Sequence, residues 1–187
     1  KGSLMKPKPV SGDRPLVVSA GNSDRGREFA ARNSDMMFTG IRVDQEEISD
    51  DIAPLKAQAK SYGREIGIFT NCYVVCRPTR KEAEEYHDYY ALEMADHGAV
   101  DNLIAGRSAR GRFDELPEAM LRNLKQRAGG GNGAYPIVGD ADDVANLLIK
   151  LNAAGIDAFA MGMANYLEHF PFFRDEVLPR LEAAGVR

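Results

Sequence analysis

Short apolar runs alternate along the chain with longer stretches whose apolar residues recur every three to four positions, so strand and helix signals take turns from one end to the other. The run at 16–19 (Leu-Val-Val-Ser) predicts a strand and turns through Gly21-Asn22-Ser23 into a helix at about 24–33. Met36-Met37-Phe38-Thr39, ended by Gly40, predicts a second strand. Residues 44–62 place Ile48, Ile52, Leu55 and Ala59 on one helical face before Gly63, with Pro54 expected to kink or divide that helix. Residues 66–77, rich in β-branched and aromatic side chains and closed by Pro78, predict the clearest strand. Thr79 then caps a long helix through Glu82, Tyr86, Tyr89, Tyr90 and Met94, ended by Gly98. A weaker helical pattern over 99–127 carries Leu116, Met120, Leu121 and Leu124, with an exposed loop expected at 106–113. Asp140 opens a helix with Val144, Leu147, Leu148 and Leu151 on one face, 158–163 reads as a buried strand, and 167–184 closes with a helix bearing Phe170, Phe173, Val177, Leu178 and Leu181.

Strands near residues 16, 37, 71 and 160, alternating with helices, give the α/β class with a parallel sheet. A closed α/β barrel needs eight such strands and about 250 residues, so the count here fits the C-terminal half of a (β/α)8 barrel: four parallel strands, covering helices and one helical insertion. The chain reads as a single domain over 1–187, with 1–14 an extended lead-in and 99–135 an insertion plus mobile loop. Gly129, Gly130 and Gly131 sit in Ala-Gly-Gly-Gly-Asn-Gly at 128–133, which has little intrinsic reason to be regular and is expected to act as a mobile lid. The strands are apolar on both faces. A lone half would expose one face and two sheet edges, so an N-terminal barrel half or a second copy is expected to cover them, with homo-oligomerisation.

Composition narrows the field further. With 187 residues, 44% hydrophobic and 28% charged, the chain can bury a core without staples. A net charge of -4 with scattered arginines provides no basic footprint for nucleic acid or an anionic membrane. No apolar run reaches bilayer length and no signal-peptide layout opens the chain, so a cytoplasmic protein is expected. Cys72 and Cys76 lie on one face of a single strand and read as reduced structural thiols. His87, His97 and His169 have no metal spacing, and no Gly-x-Ser-x-Gly marks a serine nucleophile.

The candidate chemistry lies at the first strand-to-helix turn. Small residues there (Ser19, Gly21, Asn22 and Ser23) leave backbone N–H groups at a helix start, which suits a phosphate; alternatively Ser23 only caps the helix. The charge of Asp24 counts against an anion. The glycine run at 128–133 fails as a P-loop, since no Lys-Ser or Lys-Thr follows and no strand is expected before it.

Ser-Ala-Gly-Asn-Ser-Asp-Arg-Gly-Arg-Glu-Phe-Ala-Ala-Arg-Asn-Ser-Asp (19–35) with Phe38-Thr39 resembles the stretch after the fifth barrel strand of the bacterial-luciferase-like flavin monooxygenases, nearest in look to the pyrimidine, dimethyl sulfone and alkanesulfonate enzymes. Lys6-Pro7-Lys8-Pro9-Val10 resembles that family's lead-in, 137–145 its Gly-x-x-x-x-Val-Ala helix start, and 155–159 with 173–179 its last strand and helix. The resemblance implies an oxidoreductase that binds FMN, reduced and supplied by a separate flavin reductase, and activates oxygen as a flavin peroxide to attack a small organic substrate. It places the flavin phosphate at Asn22 and Ser23 with the N–H groups of Gly21 and Asp24, beside Ser19, and the substrate pocket at Asn71 and Tyr73; Tyr166, just after the last strand, either lines that pocket or packs as a partly buried side chain. Asn71 and Tyr73 stand where the alkanesulfonate enzymes resemble an Arg-x-His pair, which argues against a sulfonate, while Arg127 best matches their loop arginine. The family's earlier strands, which carry most ring and substrate contacts, have no counterpart here. A deazaflavin-dependent oxidoreductase of the same fold and a non-catalytic flavin- or phosphate-binding scaffold are the alternatives. Bound flavin or saturable binding of reduced FMN would support the enzyme, and no binding at all would favour the scaffold. No catalytic residue is assigned.

Overall fold

The computed structural model describes residues 6–12, 14–21, 23–41, 49–108 and 116–186. Strand β1 (Val18–Ser19) is followed by helix α1 (Asp24–Asn33), β2 (Met36–Phe38), α2 (Ser49–Ser61) and β3 (Gly67–Cys76). Then come α3 (Arg80–Asp88), which widens into a π-helical turn at Tyr89–Glu93, and α4 (His97–Ser108), α5 (Glu118–Gly131), β4 (Tyr135–Gly139), α6 (Ala141–Ala153) and β5 (Ala158–Gly162). Helix α7 (Tyr166–Phe172), a second π-helical turn at Phe173–Val177 and α8 (Leu178–Ala183) follow.

All strand pairs are parallel. Phe69 pairs with Phe38 of β2 and with Ala158 of β5, so those two strands flank β3 on opposite edges. β1, β2, β3 and β5 therefore lie side by side in chain order, as successive barrel strands do. The α/β reading and its four expected strands hold. β4 is a fifth strand, paired with residues 72–76 of β3 on the edge that β2 occupies lower down. It overlaps the end of the expected insertion at 99–135 and the stretch from residue 137 that resembles a helix start. Pro136 hides it in the sequence, because proline is tolerated in a strand at a sheet edge but weakens the strand pattern.

Even-numbered residues of β3 (Ile68, Cys72, Val74 and Cys76) point into the main core with Met37, Ala30 and Ala31 of α1, Ile52 and Leu55 of α2, and Val144, Leu148 and Leu151 of α6. Two capping boxes fix helix starts near the sheet's upper end: Thr79 with Glu82 for α3, and Asp140 with Asp143 for α6. Odd-numbered residues face the other way. High on β3, Tyr73 and Val75 are covered by Ala83 and Ala134. Lower down, the Phe69 ring lies tilted against Phe38 across the strands, Asn71 is half-buried and Ala160 is exposed, so among the described residues the inner face of the sheet stands open there. At the opposite end of the strands Asp35 accepts hydrogen bonds from Arg14 and from the Val17 N–H.

Other expectations shift. Helix α2 runs through Pro54 without a break. Gly98 lies inside α4, whose start is set two residues earlier by Asp96, accepting from the Ala99 N–H. Residues 106–108 belong to α4, and the rest of the expected loop at 106–113 lies outside the described residues. Most important for the site, the glycines expected to form a mobile lid are the last helical turn of α5, closed by Asn132 in the left-handed conformation at φ 53°. Their lack of side chains serves contact: a Cβ on Gly129 would lie 2.3 Å from the Ala91 carbonyl oxygen, and one on Gly131 2.2 Å from Tyr73 Cδ1. Tertiary packing outweighs the poor helix propensity of glycine here.

Candidate functional site

The turn between β1 and α1 brings strand and helix into backbone contact. A Cβ on Gly21 would lie 2.9 Å from the Gly26 Cα, and one on Gly26 2.9 Å from the Gly21 carbonyl carbon, so both positions need glycine for space. Ser23 is the N-cap, its Oγ accepting from the Gly26 N–H at 3.1 Å. Ser19 Oγ lies 3.5 Å from the Gly21 N–H. The N–H groups of Asp24 and Arg25 stand at the helix start with no hydrogen-bond partner among the described residues, which is the donor pattern an anionic oxygen takes. Ser23 thus performs the capping role, while those two N–H groups stay open at the helix start. Asn22 lies outside the described residues.

A cleft of about 460 Å³ opens between β3, β5 and the glycine end of α5. Asn71, Tyr73, Gly130, Gly131, Ala134 and the backbone and side chains of 160–164 line it. No charged side chain is among the lining residues. Because every strand runs the same way, the cleft and the β1–α1 turn share the carboxyl end of the sheet, where ligands bind in parallel α/β folds.

The structure brings Asn71, Tyr73, Gly130 and Gly131 into one cleft and holds Tyr166 at its margin. Tyr166 is exposed, and its hydroxyl donates to the carbonyl of the lining residue Met161 at 2.8 Å. Tyr73 is 3% exposed, and its hydroxyl lies 2.8 Å from His87 Nε2 on α3. Burial pushes the Tyr73 phenol well above its usual range, with Tyr90 adding to the shift and Arg127 opposing it. Burial also holds His87 down to about 4, with Asp88 opposing, so the pair is neutral at pH 7.

Arg127, expected from the resemblance to match the sulfonate-enzyme arginine, is buried and turned toward the backbone. Its Nη2 donates to the Ile41 carbonyl at 2.7 Å and to Gly133 at 3.2 Å, and its Nε donates to Ala134 at 3.2 Å. It ties the segment after β2 to the cleft wall. Sequence reasoning missed His87, although its spacing of four from Ala83 on a buried helix face was the available signal. Cys72 and Cys76 are free and buried, their thiols pushed up to about 12 by burial, and so have no thiolate character. Among the described residues there is no cluster able to hold a metal ion, and no helix is long and apolar enough to cross a membrane.

The luciferase-like monooxygenase family model matches residues 1–158. An FMNH2-dependent dimethylsulfone monooxygenase of Pseudomonas putida is 26% identical over 94% of this chain and 48% of that protein. A sulfoquinovose monooxygenase of Novosphingobium aromaticivorans is 30% identical over 92% of this chain and 51% of its own length. The crystal structure of DmoA from Hyphomicrobium sulfonivorans superposes with a TM-score of 0.69 at 25% identity, covering 91% of this chain and 42% of that one. The chain spans about half the length of the curated relatives it matches.

Proposed function

The chain belongs to the luciferase-like monooxygenase family, and on that premise we propose that the protein carrying it is a reduced-flavin-dependent monooxygenase of a small, uncharged organic molecule. The observation that carries this reading is the pairing of a glycine-spaced, donor-rich turn after β1 with a neutral cleft at the same end of the sheet. In this reading the turn at Ser19, Gly21, Asn22 and Ser23 holds the FMN phosphate through the Ser23 hydroxyl and the N–H groups at the start of α1. The flavin, reduced by a separate reductase, supplies the oxygen-activating chemistry.

The residues of this chain bind, orient and shelter. Asn71 offers an amide that both donates and accepts, suited to a polar but uncharged group such as a sulfone. Ala134, Ala160, Met161 and Met163 supply apolar walls that keep water from the reacting centre. With Arg127 turned to carbonyls, this part of the site presents no counter-charge to a sulfonate. The open inner face of the sheet supports a further part of the proposal, that the other barrel strands or a second copy complete the pocket and that the working enzyme is an oligomer.

A reductase-coupled assay tests the activity. Given NADH, FMN, a flavin reductase and dimethyl sulfone as probe, the intact protein is expected to consume the sulfone only when both oxygen and the reductase are present. Sulfone loss that persists without oxygen or without reduced flavin would contradict a monooxygenase. No loss of sulfone in the complete mixture would overturn the substrate class.

A further inference from the structure

Four contacts close a loop behind the cleft. The Tyr73 hydroxyl meets His87 Nε2 at 2.8 Å, and the two rings lie 5.4 Å apart. The His87 ring in turn lies 5.8 Å from that of Tyr90, in the π-helical turn that extends α3. The Tyr90 hydroxyl reaches the Gly130 carbonyl at 3.4 Å. Gly130 returns to the start, since a Cβ there would lie 2.9 Å from the Tyr73 hydroxyl. Two members of this loop, Tyr73 and Gly130, are cleft wall, whereas His87 and Tyr90 lie behind it.

The π-helical turn makes the loop possible. A wider turn carries Ala91 inward until its carbonyl abuts Gly129, while Gly130 and Gly131 rest on the Tyr73 ring, so the end of α5 is held on two sides by surfaces that admit no methyl group. The bond to His87 fixes the outer end of the Tyr73 ring, which lines the cleft. Buried phenol and imidazole each leave a costly unpaired polar atom if the other is removed, so each holds the other in place.

We infer that His87 is a positioning residue for the cleft: from helix α3 it fixes the Tyr73 hydroxyl, and through Tyr73 and Tyr90 it seats the glycine end of α5 as the cleft wall. This rests on the reading of the cleft as the substrate pocket. His87 touches no lining residue but Tyr73 in this loop, so it acts through another side chain. With His87 in the Nδ1–H tautomer, the phenol O–H donates to Nε2.

The test is amide hydrogen exchange in the intact protein, read at Asn132 and Gly133, whose N–H groups bond to the carbonyls of Ala128 and Arg127, with α6 as an internal control. H87L and Y73F are each expected to speed exchange at those two amides at least tenfold while leaving α6 within twofold. H87Q, which keeps a side-chain hydrogen-bonding group, is expected to rescue most of the effect. The double variant H87L/Y73F, which removes both partners, is expected to exchange no faster than either single variant. Additive effects, an H87Q variant as fast as H87L, or equal acceleration in α6 would each overturn the assignment. Reduced-FMN affinity is measured alongside. If the unaltered protein binds no flavin, the functional reading fails while the exchange results still decide the role of His87.

Discussion

Replacing Gly131 with alanine puts the packing of the cleft wall to a direct test. An added Cβ would lie 2.2 Å from Tyr73 Cδ1, 2.8 Å from Cγ and 2.9 Å from Cε1, against an ordinary contact of 3.4–4 Å. The ring cannot give way easily, because Tyr73 is 3% exposed and tied to His87. The end of α5 must then back off by more than an ångström, a form of overpacking that costs about 1–3 kcal/mol. Alanine returns up to about 1 kcal/mol of helix propensity, which leaves a net loss on the order of 1–2 kcal/mol. At Gly106 near the end of α4, where a Cβ meets nothing within 4 Å, only the gain operates. Thermal unfolding of the intact protein should therefore show G131A lowered by several degrees and G106A unchanged or slightly raised, since 1 kcal/mol shifts the midpoint by about 2–4 °C in a domain of this size. G129A, facing the Ala91 carbonyl at 2.3 Å, should lose at least as much as G131A. If G131A were as stable as G106A, the glycines would not be packed on Tyr73 and a mobile segment would be the better description.

Other consequences follow from buried and paired groups. His87 stays neutral when folded down to about pH 4, whereas an unfolded histidine takes its proton near 6.5, so its contribution to stability is complete above 6.5 and is lost as pH falls from 6.5 to 4. Denaturant titrations at pH 7.5 and 4.5 should differ by up to about 3 kcal/mol from this group, and H87Q should remove that part of the slope; a slope unchanged in H87Q would contradict it. Asp35, held down to about 2 first by its hydrogen bonds to Arg14 and then by the Val17 N–H, adds stability above the usual carboxylate range that is lost as pH falls toward 2, and acid titration of D35N should lack this step. Thr70 is fully buried and its hydroxyl has no hydrogen-bond partner among the described residues, so T70V should be neutral or stabilising by up to about 1 kcal/mol; a loss above about 2 kcal/mol would contradict that. With Val18 and Ala160 exposed on its open inner face, the isolated 187-residue chain should associate, and light scattering showing a stable monomer at 20.5 kDa would contradict the half-barrel account.

Local signals made most of the fold readable, and non-local contacts hid the rest. The capping residues Thr79 and Asp140, the alternation around Ile68–Thr70–Cys72, and the apolar face of α6 each declare themselves within a few positions. β4 did not, because Pro136 breaks the strand pattern and Asp140 draws attention to the helix beyond. The end of α5 looked irregular because glycine is a poor helix former, while its reason for being there, the Tyr73 ring and the Ala91 carbonyl, lies some 40 to 60 residues away in sequence. Arg127 likewise reads as a surface or substrate cation until Ile41 is seen to receive it. For the cleft, Asn71 and Tyr73 stand two apart on one face of β3, so the strand pattern already puts them on the same side of the sheet. His87 was passed over with the other histidines for want of metal spacing, although its neutral bond to Tyr73 needs no metal.

Equilibrium titration of reduced FMN into the intact protein under anaerobic conditions, with and without S23D, bears most directly on the central claim that the turn after β1 holds the cofactor phosphate. The unaltered protein should bind one reduced FMN saturably, and S23D, which sets a carboxylate beside the phosphate, should weaken binding at least tenfold while thermal stability stays close to that of the parent, because aspartate also caps helices well. Absence of saturable binding, or equal affinity in S23D, would contradict the assignment of the flavin site to this turn.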